Sequence, residues 1–136
     1  MSVFSRRTRV RFQDVDAAGI VFFARVFDLF HDTYLEWLAA AGVDVPRALR
    51  ERTWGAPLVH AEADYAAPLR YGDEIDVVLE AIEEGKTSIL VRYRIEGAAT
   101  GDRRATGATK HVFVSMPDAR PRGVPDEVRR ALPRGS

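Results

Sequence analysis

Two carboxylates two residues apart, Asp14 and Asp16, stand in the stretch Arg11-Phe12-Gln13-Asp14-Val15-Asp16-Ala17-Ala18-Gly19-Ile20-Val21-Phe22-Phe23, against an otherwise apolar run. A positioned carboxylate can activate a water molecule or attack a carbonyl carbon itself. Ala17-Ala18-Gly19 leaves backbone accessible to a ligand, a use to which glycine is suited. On an extended backbone Asp14 and Asp16 would share a face, whereas in a turn only one of them need point inward. The same residues also have a plain structural use, because Asp is common as a cap at helix starts.

Other reactive side chains have less around them. His31 falls inside a helical pattern on the flank of its apolar stripe, which suits a packed or partly exposed side chain better than a base. His60, Glu62 and Asp64 share one strand face, but strand spacing keeps three such residues from converging on a metal, and a solvated outer face accounts for them. His111 has no motif around it. Ser88 and Thr109 have no partner base in view and no Gly-x-Ser-x-Gly elbow, and neither glycine-rich phosphate pattern occurs. The absence of cysteine removes disulfides, thiol catalysis and cysteine-based zinc sites.

The acids gain interest from the residues on their C-terminal side. Phe23, Val26, Phe27, Phe30, Tyr34, Trp37, Leu38 and Ala41 recur at helical spacing, with Arg25, Asp28, Asp32 and Glu36 off the stripe. The pattern predicts a long buried helix over about 22–41, closed by Gly42 as a residue that tolerates positive φ. The acidic stretch then lies at a helix N-terminus, where unpaired N–H groups and a partial positive charge suit an anion or a polarised carbonyl oxygen.

Around that helix the period is two. Alternation predicts a first strand over 8–13, a half-buried strand over 56–65, a strand over 75–81 with Ile75, Val77, Leu79 and Ala81 on one face, and strands over 89–95 and 106–116, with turns at Tyr71-Gly72-Asp73, Glu84-Gly85-Lys86 and 97–102. A short helix is expected to start near Pro46 and another over about 125–132. A helix this apolar needs cover on its apolar side. The economical arrangement is α+β: a curved antiparallel sheet wrapped around the helix. An open sheet edge invites a second copy, so a homodimer with a continuous sheet is expected.

The bulk numbers bound the partners. At 136 residues the chain is expected to form a single domain, 1–136. Lys+Arg and Asp+Glu are both 20, so neither nucleic acid nor an anionic membrane is indicated. No signal core and no run of roughly 18 apolar residues is present, and a soluble cytoplasmic protein is the expectation.

The stretch from Asp14 to Phe23 resembles the signature of the hotdog-fold acyl-CoA thioesterases of the 4-hydroxybenzoyl-CoA thioesterase type. The likeness extends through Tyr65-Ala66-Ala67-Pro68-Leu69-Arg70-Tyr71-Gly72-Asp73 and Lys110-His111-Val112-Phe113-Val114. The order of elements is also similar to the hotdog fold. Ala17 replaces the proline that comes after the catalytic acid in the hydroxybenzoyl enzymes. Asp-x-Asp-Ala-Ala-Gly with Val59-His60-Ala61 looks closer to the 1,4-dihydroxy-2-naphthoyl-CoA hydrolase branch.

The resemblance implies hydrolysis of an acyl-CoA thioester, with an aromatic acyl group such as 1,4-dihydroxy-2-naphthoyl or 4-hydroxybenzoyl. It implies that Asp16 is the catalytic acid, acting as general base or nucleophile, that Asp14 is supporting, and that the Phe23 backbone N–H meets the thioester carbonyl. Gly19 and Ile20 would line the acyl entrance, and His60, Arg70 and Lys110 are candidates toward the substrate, with Arg120 and Arg122 also available to CoA phosphates. Sites are expected between two subunits, in a dimer or a dimer of dimers, a homotetramer. No metal or cofactor is expected, coenzyme A entering only as part of the substrate. Alternatives are a short-chain acyl-CoA or acyl-carrier-protein thioesterase, a hotdog dehydratase, for which His31 sits too far into the helix, and a non-catalytic acyl-CoA binding module.

Overall fold

The long helix organises the chain. In the computed structural model, which describes residues 2–133, α1 spans Arg25–Ala40 and buries Val26, Leu29, Phe30, Thr33, Tyr34, Trp37 and Leu38. Thr33 lies on this apolar face because its hydroxyl donates back to the Leu29 carbonyl at 2.8 Å, so no polar atom is stranded. The helix ends as expected at Gly42, φ 86°, where the Val43 N–H bonds the Leu38 carbonyl at 2.9 Å. The expected start is corrected: residues 22–24 form an approach turn, Arg25 N–H bonding the Phe22 carbonyl at 2.8 Å. Phe23 is 62% exposed and lies outside the buried stripe.

The helix packs across one five-stranded antiparallel sheet. Its strands are β1 (Phe4–Arg9), β3 (Leu58–Tyr65), β4 (Glu74–Glu84), β5 (Ser88–Gly97) and β6 (Arg103–Val112), in the order β1-β4-β5-β6-β3. The shorter β2 (Trp54–Gly55) and β7 (Val114–Ser115) pair separately, and α2 (Val45–Glu51) and α3 (Asp126–Ala131) close the flank. Ile89, Val91, Tyr93 and Ile95 of β5 all face the core, as alternation predicts. Phe30 stacks on Tyr93 with ring centroids 4.5 Å apart, and Tyr34 stacks on His111 at 4.2 Å. At Gly107 of β6 a side chain would run into the Phe30 ring and lie 2.6 Å from the Glu62 carbonyl, so the close seat of the helix requires glycine.

Three expectations about strands are corrected. The first strand lies earlier, at Phe4–Arg9, because after the buried Val10 the chain turns into a single 3-10 turn, Phe12–Asp14, that leaves Phe12 73% exposed. In β4 the register shifts between Leu79 and Ala81, so the core side passes from Leu79 to Ile82 and not to Ala81. The strand β3 is not half-buried. It is the outer edge beside β6, and Leu58, Val59 and Tyr65 remain 52%, 54% and 50% exposed. At the opposite edge, β1 presents Arg7 and Arg9 in ion pairs with Asp76 and Glu74, which discourages pairing there.

Candidate active site

The loop from Asp14 to Val21 is a closed reversal, and its two acids do different work. Asp14 is 4% exposed and accepts both arms of the Arg11 guanidinium at 2.9 and 3.0 Å. Its backbone carbonyl takes the Phe22 N–H at 2.9 Å, and Val15 bridges Val21, so Asp14 clasps the two ends of the loop. Asp16 sits at the exposed tip. Its N–H donates to Ile20 and its carbonyl accepts from Gly19, both at 2.9 Å, while Oδ1 accepts the Ala18 N–H at 2.9 Å and the Ile20 N–H at 3.4 Å. Gly19, at φ 77°, supplies the left-handed step; nothing lies within 4 Å of where its side chain would be, so conformation and not space selects glycine.

A second segment is laced to this loop. Val21 N–H bonds the Leu69 carbonyl at 2.8 Å, Tyr71 N–H bonds the Gly19 carbonyl at 3.1 Å, and Ile20 bridges Arg70. Between them and the start of α1 opens a cleft of about 370 Å³ lined by Ile20, Val21, Phe23, Val26, Tyr65 and Arg104, among others. The walls are mostly apolar, and the polar features are backbone, Arg104 and the Tyr65 hydroxyl.

Ala24 is the N-cap residue, and no side chain caps the helix, so neither Asp14 nor Asp16 serves in that role. Phe23 and Ala24 have helical-entrance N–H groups with no acceptor among the described residues, at the positive end of a 16-residue helix.

Two residues at the cleft were not singled out by sequence reasoning. The Tyr65 hydroxyl donates to the Phe23 carbonyl at 2.7 Å, and burial pushes that phenol above its ordinary value. Its signal in the sequence was position alone: the last aromatic of a strand before the Ala-Ala-Pro break. Arg104 donates to the Pro68 carbonyl at 3.1 Å, to Asp73 at 3.0 Å and to Asp102 at 2.6 Å, and its own carbonyl takes the Ala66 and Ala67 N–H groups. The hydrogen bond to Asp102 raises the Arg104 guanidinium further, so it stays charged. An arginine in a charged strand carries no mark that it will stitch a loop.

The remaining candidates lie apart. Ile20 lines the cleft, while Asp16 and Gly19 stand on the loop beside it. His60 and Lys110 are register partners on β3 and β6, exposed, and His60 lies 3.0 Å from Glu62 in a solvated band outside the cleft. Arg70 is exposed, held through its N–H to Asp73 at 2.9 Å. Arg120 is also exposed, and Arg122 bonds the Gly123 carbonyl. Thr109 is sealed in the core, sharing hydrogen bonds with the Tyr93 hydroxyl at 2.9 Å and His111 Nε2 at 3.0 Å. Burial pushes His111 down to about 4. His31 instead lines a separate groove of about 290 Å³ with Tyr34, Leu35, Leu49, Trp54 and Ala56.

Known proteins resemble this chain over most of its length. The sequence profile of the thioesterase-like superfamily matches residues 10–132. A 1,4-dihydroxy-2-naphthoyl-CoA hydrolase of Trichodesmium erythraeum is 32% identical over 133 residues, 97% of this chain and 96% of that protein. The crystal structure of a 1,4-dihydroxy-2-naphthoyl-CoA thioesterase from Synechocystis superposes with a TM-score of 0.90 at 27% identity, covering 95% of this chain and 94% of that one. A gentisyl-coenzyme A thioesterase superposes with a TM-score of 0.81 at 25% identity, over 92% of this chain and 98% of that one. With a sheet wrapped on one helix and an uncapped helix entrance opening on an apolar cleft, the chain belongs to the thioesterase-like superfamily and is a thioester hydrolase of the hotdog fold.

Proposed function

We propose that the chain hydrolyses an aryl-CoA thioester, 1,4-dihydroxy-2-naphthoyl-CoA first among candidates, to the free acid and CoA. The observation that carries this is the uncapped entrance of α1, with the Phe23 N–H left without an acceptor among the described residues, beside an apolar cleft. The thioester carbonyl accepts that N–H, and the helix field stabilises the oxyanion as it forms; one such donor is worth about 3 kcal/mol. Asp16 acts on the carbonyl carbon from the loop, either by removing a proton from water or by direct attack to give a mixed anhydride. Its Oδ1 is oriented by the Ala18 N–H, which leaves Oδ2 for this step. Asp14 holds the loop through Arg11, Gly19 and Ile20 border the entrance, and no metal or cofactor takes part. Arg70, His60 and Lys110 remain outer candidates for the CoA portion.

The working unit is a dimer, and the exposed edge of β3 supports it. A strand pairing with its own copy across a twofold axis runs antiparallel. The Tyr65 end of one copy then meets the Leu58 end of the other, so the cleft that Tyr65 lines lies at the second copy's Leu58 end. Its largely apolar lining suits an aryl acyl group.

A thiol-release assay over dihydroxynaphthoyl, hydroxybenzoyl, gentisyl, phenylacetyl and short-chain acyl-CoAs tests the reading, with Asp16→Asn beside the wild type. Preference for an aryl-CoA and loss of turnover in Asp16→Asn are expected. Full activity in that variant would overturn the assignment. Turnover in heavy-oxygen water separates the two roles of Asp16: label in its carboxylate means attack, its absence means general base.

A further inference from the structure

We infer that Tyr65 is a positioning residue for the oxyanion site, holding the Phe23–Ala24 peptide in the orientation that presents the free N–H groups at the entrance of α1. The inference rests on the proposed thioester hydrolysis and adds to it a residue acting through the backbone. The first turn of a helix is the part most prone to fray, and here no side chain caps it. The Phe23 carbonyl receives only a long hydrogen bond from within the turn, Val26 N–H at 3.3 Å. The Tyr65 hydroxyl, at 2.7 Å, is the shorter contact on that oxygen. It comes from the end of β3, forty-two residues away, so it ties the helix entrance to the sheet edge.

That bond acts in two ways. Mechanically, Tyr65 holds the Phe23–Ala24 peptide, which carries the Ala24 N–H, and the Arg25 N–H on the Phe22 carbonyl at 2.8 Å holds the preceding peptide, which carries the Phe23 N–H, so the two donors that flank the Phe23 Cα are fixed relative to each other. Electrostatically, a donor on the Phe23 carbonyl polarises the same peptide and strengthens the Ala24 N–H on its other side. Tyr65 also lines the cleft with Phe23, Ile20 and Val26, and its hydroxyl is committed to the backbone.

Tyr65→Phe keeps the ring and removes only the donor. With an aryl-CoA that the wild type turns over, kcat is expected to fall about tenfold, less than on removal of an oxyanion donor itself, while KM stays within about twofold. A CoA thioether with a methylene in place of the carbonyl is expected to inhibit both proteins equally, since it makes no use of the N–H groups. A CoA ketone analogue carrying ¹³C at its carbonyl gives a second readout: its resonance moves downfield on binding the wild type and less on binding Tyr65→Phe. An unchanged kcat with an unchanged carbonyl resonance overturns the inference. So does a rise in KM matched by weaker thioether inhibition at constant kcat, which would make Tyr65 a packing residue only. If the wild type hydrolyses none of the thioesters, the parent reading fails, and the ketone resonance still decides on Tyr65.

Discussion

Asp14 and Asp16 carry the same side chain two residues apart, yet one is buried against Arg11 and the other stands exposed at a loop tip. The turn between them separates their roles. Asp16→Asn keeps an oxygen that can accept the Ala18 N–H, so the loop is expected to survive, the melting midpoint to stay within about 2 °C and kcat to fall at least about a hundredfold. Steady-state kinetics beside a thermal scan checks both. Asp14→Asn does the reverse. It weakens a charged, two-armed hydrogen bond whose arginine is partly solvated, and is expected to lower stability by about 1–2 kcal/mol in urea unfolding. Both acids were legible as candidates from the sequence. Tyr65 and Arg104 were not, because what they do is donate to carbonyls of segments remote in the chain.

Among the elements, α1 and its seat on the sheet set the geometry of the cleft. The helix was readable because eight apolar residues kept one spacing, but its first turn was not, since Phe23 continues the apolar pattern while remaining largely exposed. Gly107→Ala drives a methyl group into the Phe30 ring and the Glu62 carbonyl, and is expected to destabilise by about 2–3 kcal/mol, visible in chemical denaturation. Under the same helix, His111 is neutral and buried, with a folded value of about 4. The unfolded chain protonates this residue first on acidification, so its contribution is intact above about pH 6.5 and is lost as pH falls toward 4. The full swing is roughly 3 kcal/mol. Urea midpoints measured from pH 7 to pH 4 are expected to drop, and to drop less in His111→Gln.

For the whole molecule, the unequal edges of the sheet matter most. β1 is lined with arginines paired to β4, whereas β3 leaves Leu58, Val59 and Tyr65 open. Sedimentation is expected to give a dimer or a multiple of two. Leu58→Lys with Val59→Lys places like charges on the pairing edge of both copies, and is expected to shift the protein to monomer and abolish turnover together. A fully active monomer would remove the shared site. Among the described residues no helix is long and apolar enough to cross a membrane.

Local spacing, turn chemistry and glycine conformation were enough to read from the chain the body of the helix and its stop at Gly42, the alternation of β5 and the acidic loop ahead of Phe23, but not the first turn of the helix. That β3 is an edge, that β4 changes face at its bulge, that Asp14 is clasped while Asp16 is presented, and that Tyr65 reaches the Phe23 carbonyl came from the folded chain. Each of those depends on which segments lie side by side, and neighbours in space leave no period in a single chain.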